Sequence, residues 1–569
     1  MRRILLAARM TVALSAFFAG PVLAQGINHF LWNLNRDNYG RGFRIGATTP
    51  AGCSIDKSKD SDDNDNYSDK NSGANKDADV DKDKDKATPV SPDVIVNFVT
   101  SGATPLNPGF NGFNNNLKNA VEYYDPNYQK ILKKLSPGWL RFPGGTDSEA
   151  FDWVFGEIVP EWVTALATNP DSYQHDINAA AQPIVAGKGG SSFCDFAKMA
   201  DNVNEAKIIV SVNAFTDTPQ SAYAFARYAL ENHIPVAAWE LANEPYTWTK
   251  GPMPFFTDGA DYAGKMKPFR DAIKAADPDA VVALYFSEAG HPDAAWDNAL
   301  SNYKPRYWDA VTYHEYVYPG SLTSFDDLMA AANGNLFSNT TSHVTDYLMP
   351  LNNPGVPYII TEVSPSAGHG GLLLGTLYGG IYSAEFSLRM STLPQVKHVA
   401  SFQMLSNAGI DEVNNNLDVV MSAYENHTTT DTSGLDFGFF ISAQAAGEAV
   451  AYEALQNSTR VYATTTTGGP TVPTDGGGSI PAIYAQAYEG KDGKRYVVLT
   501  NKSASNAVAQ IIQDGVVRTD QMRMTFVTGA HPRMVNTGMV PENVQIQTQT
   551  VTTPGAVTIS PYSVVRLEW

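Results

Sequence analysis

The 569 residues contain only two cysteines, Cys53 and Cys194. They allow one disulfide at most and no disulfide framework or cysteine-built metal cluster, so the fold must rest on packed cores. Positive charge is also scarce. Forty Lys and Arg stand against 59 Asp and Glu, a formal charge of −19. Such a surface repels nucleic acids and gives no attraction for heavily sulfated polysaccharides. No apolar run beyond the first residues is long enough to span a membrane. A glycine-rich phosphate fingerprint is missing, which leaves an open doubly wound nucleotide-binding sheet unsupported. The glycine pattern of a nucleophile elbow is missing as well, so Ser-His-Asp hydrolysis has no support. His314 has no second histidine at metal-ligand spacing, and the sequence implies neither a metal nor a cofactor.

The chain's first 24 residues read as a secretory signal. Arg2 and Arg3 form its charged end, "TVALSAFFAG" its apolar stretch, and Val22-Leu23-Ala24 its small-residue cleavage site. Its removal takes away Arg2, Arg3 and Arg9 and no acid, leaving a formal −22. The expected protein is secreted or periplasmic. Residues 25–90 form an N-terminal segment whose stretch 56–86 carries eleven aspartates and seven lysines with one aromatic, Tyr67. That stretch cannot bury enough surface to offset its ordering entropy and reads as a solvated linker. The spacing of its aspartates resembles calcium ligation, but the glycine and closing glutamate of a calcium loop are missing.

A strand at 94–98, "VIVNF", lies in a segment 91–106 assigned to a β-sandwich. From 107 to 445 the pattern alternates between short apolar strands and amphipathic helices. The strands are "GFNGFN", "GWLRFPGG", "AKIIVSVNAF", "VAAWELANE", "AVVALYF", "AVTYHEYVY", "PYIITEVS" and "VKHVASFQML". Eight strand–helix units in succession predict an α/β fold, a (β/α)₈ barrel of parallel strands. Beyond about 445 the helical pattern stops. Seven short strands from "IYAQAYE" to "SVVRLEW" predict an all-β sandwich over 446–569.

Catalytic groups of such barrels sit at the C-terminal ends of the strands. Here those ends carry polar residues that an apolar core would not accommodate. They are Arg141 on the second strand, Asn243 and Glu244 on the fourth, and His314, Glu315 and Tyr316 on the sixth. Glu362 ends the seventh and Gln403 the eighth. Period-two geometry places Glu240 and Glu244 on one face, about 13 Å apart. Glu240 then lies deep, as a structural carboxylate paired with a base or hydroxyl, and Glu244 lies at the mouth. Two carboxylates facing each other across a barrel mouth suit cleavage of a glycosidic bond, one as proton donor and the other as nucleophile.

"WELANEP" followed by "IITEVS" resembles the pattern of the clan A retaining glycoside hydrolases. With "KKLSPGWLRFPGGTDSEAFDW", "VTYHEYVYPG" and "TEVSPSAGHGG", it is most similar to the heparanase and β-glucuronidase family, glycoside hydrolase family 79. The resemblance implies Glu244 as acid/base, with a raised pKa, and Glu362 as nucleophile. It implies that Asn243 binds the sugar 2-hydroxyl, that Arg141 and Tyr316 hold Glu362, and that His314 and Gln403 line the sugar site. It further implies that His369, Gly370 and Gly371 face the C5 substituent, a glucuronate carboxylate. Two departures stand out: Ala242 replaces the glycine of "WELGNEP", and the loop after Glu362 is one residue longer. The expected partner is a carbohydrate, most simply an exo-cleaved β-glucuronide. Xylosides, arabinofuranosides or glucosides are the alternative substrates. A non-catalytic carbohydrate-binding surface protein is the reading from outside enzymology.

Overall fold

The computed structural model describes residues 91–115, 123–160, 192–249, 255–365, 372–404 and 439–569, apart from short breaks, with Cys53, Trp162, 406–407 and 421–423. The first 24 residues, the acidic stretch 56–86 and the loop holding His369, Gly370 and Gly371 lie outside the described residues.

Eight parallel strands close into a barrel. In chain order they are Asn111–Asn114, Trp139–Phe142, Lys207–Val212, Val236–Leu241, Val282–Tyr285, Ala310–Tyr316, Tyr358–Ser364 and Val396–Ser401. All eight strands read from the sequence are found. The first pairs with both the second and the eighth, which completes the closure. Their Val-, Ile- and Ala-rich composition follows from burial on both faces, inward against the barrel core and outward against helices.

The interior fills in layers. At the N-terminal end Trp139, Ile209, Ala238, Ala283, Ala310 and Ile359 form a closed apolar plug. Two residues further along the same strands, the inward positions become Arg141, Ser211, Glu240, Tyr285, Thr312 and Thr361, all buried. The period of two is therefore kept while the chemistry changes from apolar to polar. The apolar floor excludes water from below, so the polar layer is reached only from the mouth.

Strand Val94–Pro105 pairs with Ser458–Gly468 and Ala507–Gln513, and so belongs to the C-terminal sheet. That sheet has ten strands, including all seven read from the sequence. Its inner faces meet in a separate core of residues such as Val96, Leu499, Ile511, Met524 and Leu567.

The expectation that helices stop near residue 445 is corrected by helix Ala443–Asn457, which packs between barrel and sandwich. Its run "AQAAGEAVAYEALQN" is buried on nearly every side, so no amphipathic period marks it. Neighbouring helix Leu377–Met390 is equally enclosed, and its Glu385 pairs with Lys502 of the sandwich at 2.5 Å, both fully buried. Cys53 and Cys194 form a disulfide, tying the N-terminal segment to helix Phe193–Asn202.

Candidate active site

The polar layer is organised around one guanidinium. Arg141 Nε donates to Glu240 Oε2 at 2.7 Å, and Nη1 donates to Glu362 Oε1 at 2.6 Å and to Asn114 Oδ1 at 2.9 Å. Nη2 donates to Asn243 Oδ1 and to the Tyr285 hydroxyl, both at 2.8 Å. One side chain thereby fixes the ends of four other strands. Burial alone would lower its pKa, but the charges of Glu240 and Glu362 hold it raised.

Glu240 is the deep carboxylate anticipated from the sequence. Besides Arg141 it accepts from Ser211 at 2.5 Å, Thr312 at 2.9 Å and Thr361 at 2.7 Å. Its burial pushes the pKa up, and Arg141, His314 and these hydroxyls outweigh that and lower it. All its partners are protein groups, so its part in the site is positional.

Glu244 is reached differently from the period-two extrapolation. The fourth strand ends at Leu241, and Ala242 and Glu244 take φ of 71° and 40°. The chain therefore turns at the mouth instead of continuing as a strand, and the Glu244 side chain, 25% exposed, faces the opening. His314 Nδ1 lies 2.7 Å from Glu244 Oε1, and Nε2 lies 2.7 Å from the Tyr285 hydroxyl. The expectation of a raised Glu244 pKa does not fit this geometry. Burial does push it up, but the hydrogen bond and charge of His314 outweigh burial and leave Glu244 lowered. His314 moves the opposite way: burial lowers it, and Glu362 and Glu244 together raise it. The geometry thus favours a proton on the imidazole over one on Glu244.

Glu362 reaches the mouth through an irregularity. Ile359 and Thr361 both point inward, so strict alternation would send Glu362 outward. The register of the seventh strand against its neighbour shifts between Ile360 and Glu362. Such a shift re-aims the next side chain, and Thr361 and Glu362 both face the interior. Tyr316 donates its hydroxyl to Glu362 Oε2. Glu315, between His314 and Tyr316, points the other way and accepts from Asn335 of helix Phe325–Ser338 at 3.2 Å, outside the site. Gln403 is buried just past the eighth strand.

One atom each from Glu244, His314 and Glu362 lie within 4.8 Å of one another. As a metal-binding set these atoms are poorly available. His314 Nδ1 is bonded to Glu244, and the Arg141 guanidinium sits on Glu362, where it would repel a cation. What the arrangement offers chemically is a proton-holding pair beside a carboxylate oriented by a cation and a phenol.

Sequence reasoning missed several neighbours. Asn114 and Tyr285 end the first and fifth strands, and the strand-end criterion applied to those strands finds both. Glu149 accepts from Trp248 Nε1 at 2.8 Å, and Glu288 accepts from Tyr318 at 2.5 Å. Glu149 lies in the short 3₁₀ helix Thr146–Ala150 and Glu288 in a loop, both beyond strand ends, where no period marks them.

No family model and no curated protein matches the chain. Solved structures do share its fold. An arabinofuranosidase of glycoside hydrolase family 51 from Xanthomonas axonopodis pv. citri aligns with TM-score 0.61 at 16% identity, over 84% of this chain and 100% of that one. A family 51 α-L-arabinofuranosidase from Bifidobacterium longum gives 0.62 at 15%, again over 84% and 100%. A 4-O-α-L-rhamnosyl-β-D-glucuronidase from Fusarium oxysporum 12S gives 0.52 at 12%, over 83% and 100%. The fold is thus that of a TIM barrel with an attached β-sandwich, seen in glycoside hydrolases of clan A.

Proposed function

We propose that the chain is a retaining glycoside hydrolase with Glu362 as nucleophile and Glu244 as acid/base. The observation that carries this reading is the approach of the two carboxylates, whose oxygens come within 4.8 Å. Retaining enzymes hold the pair about 5–5.5 Å apart, whereas inverting ones leave about 6.5–9.5 Å for a water.

In the first step Glu362 attacks the anomeric carbon while Glu244 protonates the departing oxygen. The proton starts on His314. A bound sugar displaces water from the mouth, and a drier site favours the neutral imidazole and neutral acid over the ion pair. The proton then lies on Glu244, passed along the 2.7 Å hydrogen bond from His314 Nδ1 to Glu244 Oε1. Once Glu362 is esterified its charge is gone, and with it the largest influence raising His314. Glu244 is left as the base that deprotonates the incoming water. Asn243, fixed by Arg141, is placed beside Glu244 to hold a sugar hydroxyl.

Glu362→Gln should abolish turnover. Glu244→Ala should lower kcat/KM on unactivated glycosides by about 10²–10⁴ while sparing the first step on aryl glycosides with good leaving groups. Azide should rescue the second step, and the first product seen by NMR should keep its anomeric configuration. Full activity of Glu244→Ala on unactivated substrates, or an inverted first product, would overturn the assignment.

The narrower likeness to glycoside hydrolase family 79, and with it the glucuronide, rests on loop sequence that includes His369, Gly370 and Gly371. The pentoside alternative draws on the higher fold agreement with arabinofuranosidases, 0.61 and 0.62 against 0.52 for the glucuronidase. The disulfide supports an oxidising compartment, in line with the leader-like first residues. Among the described residues no helix is long and apolar enough to cross a membrane.

A further inference from the structure

The rim of the barrel carries a third carboxylate that the reaction itself does not need. Glu288 lies just beyond the fifth strand, Val282–Tyr285. Its loop is pinned against the sixth strand, because Ala289 donates its backbone N–H to His314 O at 2.9 Å. Tyr318, just past the end of the sixth strand, donates its hydroxyl to Glu288 Oε2 at 2.5 Å. The Tyr318 ring covers Gly290 so closely that a Cβ there would stand 2.6 Å from the ring's Cδ2. Glycine at 290 is therefore what lets the ring lie down and the hydroxyl reach the carboxylate.

Glu288 is half-buried, on the loop that leaves the fifth strand at the end of the barrel where the mouth opens. Tyr318 engages Oε2 and leaves Oε1 as an acceptor for a ligand. Glu288 and Tyr318 thus sit on the loops that follow the fifth and sixth strands, at the same end of the barrel as Glu244 and Glu362. Among the described residues, the two basic groups at this end of the barrel, Arg141 and His314, are already committed. Arg141 is fully buried with every nitrogen bonded to protein, and His314 is fully buried between Glu244 and Tyr285. A sugar entering here meets hydrogen-bond acceptors, and a carboxylate on that sugar meets like charge.

We propose that Glu288, held by Tyr318, is a specificity-determining residue that accepts glycone hydroxyls and rejects an anionic substituent, so that the substrate is a neutral glycoside. The proposal rests on the glycosidase reading above and adds the substrate class to it. Charge-assisted hydrogen bonds from sugar hydroxyls to a carboxylate are about twice as strong as neutral ones. Juxtaposed like charges cost several kcal/mol, so the discrimination works by repulsion as well as by attraction. Burial, then the charges of Glu244 and Glu362, push Glu288 up to about 7, while the Tyr318 hydrogen bond and His314 pull it down. The group is therefore charged above neutrality and loses its charge in acid.

The test compares kcat/KM of the full chain on aryl arabinofuranoside, xyloside and glucoside with that on aryl β-glucuronide, above neutral pH. The wild type should prefer its best neutral substrate by at least about 100-fold. Glu288→Gln should lower kcat/KM on that substrate about 10- to 100-fold, mainly through KM, and narrow the gap to the glucuronide. Tyr318→Phe, which keeps the ring over Gly290, should shift the same ratio more weakly. A wild type that prefers the glucuronide overturns the proposal, as does a Glu288→Gln enzyme that stays active with its ratio unchanged. Should Glu362→Gln match the wild type on every glycoside, the glycosidase reading itself falls and takes this inference with it.

Discussion

Replacing Glu315 by Gln should stabilise the protein in alkali and leave it unchanged in acid. Glu315 is fully buried on the outer face of the sixth strand; Oε1 accepts from Asn335, and Oε2 has no partner among the described residues. Burial first, then the charge of Glu288, push the carboxyl from 4.5 up to about 8, against the lowering effect of Asn335. A folded-state pKa above the unfolded one means that the folded chain holds its proton longer. Stability is therefore fully present below about pH 4.5 and is lost as the pH rises to about 8. Carried through the linkage, that difference is ~5 kcal/mol. Glutamine keeps the acceptor for Asn335, supplies N–H donors where the neutral acid had its proton, and never ionises. Asp217 and Glu448, each raised by burial to about 7, add slope of the same sign to both proteins. The comparison of variant with wild type at two pH values cancels them. Thermal unfolding followed by circular dichroism at about pH 5 and about pH 8.5 should show coincident midpoints in acid and a variant several degrees higher in alkali. Parallel profiles across that range would refute the reasoning.

Ala242 holds a φ of 71°, which L-residues adopt at a cost of about 1–2 kcal/mol, so Ala242→Gly should raise the melting temperature slightly and keep activity. Lys502→Met removes one of the two cations that hold the buried Glu385 near 2 against burial, leaving it to Arg389 and Thr500. The single variant should lose up to ~3–5 kcal/mol in denaturant unfolding. Cys194→Ser opens a cross-link spanning 141 residues and should lower stability by up to ~5 kcal/mol in the chain-entropy view, read as a fall in the melting temperature under non-reducing conditions.

The barrel was legible because its eight strands are short apolar runs separated by amphipathic helices, a pattern that period and punctuation alone can carry. Helix Ala443–Asn457 was hidden for the opposite reason: burial on nearly all sides erases the period that would announce it. Strand ends marked Arg141, Glu244, His314, Tyr316 and Glu362, which the structure brings together, because polar residues there conflict with the apolar run before them. How Glu244 and Glu362 come to face each other was not legible. One depends on positive φ at Ala242 and Glu244, the other on a register shift before Glu362. Neither leaves a trace in residue type, and alanine at position 242 argues against the first. The Glu244 protonation state escaped as well, since it is set by an imidazole 70 positions away in sequence.

Arg141 also explains why so many acids can share one barrel end. Glu240, Glu244 and Glu362 formally bring three negative charges, and Arg141 together with His314 in its protonated form brings two positive ones. The remainder is one negative charge in a space floored by apolar side chains. For glycoside cleavage that balance works toward the reaction, because the oxocarbenium-like transition state gains positive charge at the anomeric carbon. Dipoles and charges already in place, in a site closed to water from below, stabilise that charge without reorganising. Removing Arg141 would strand Glu240 against three hydroxyls and free Glu362 to turn, so scaffold and chemistry fail together. Removing Glu240 would loosen the guanidinium that aims Glu362. The deep glutamate and the one at the mouth are thus coupled through a single side chain, which is why "WELANEP" needs both.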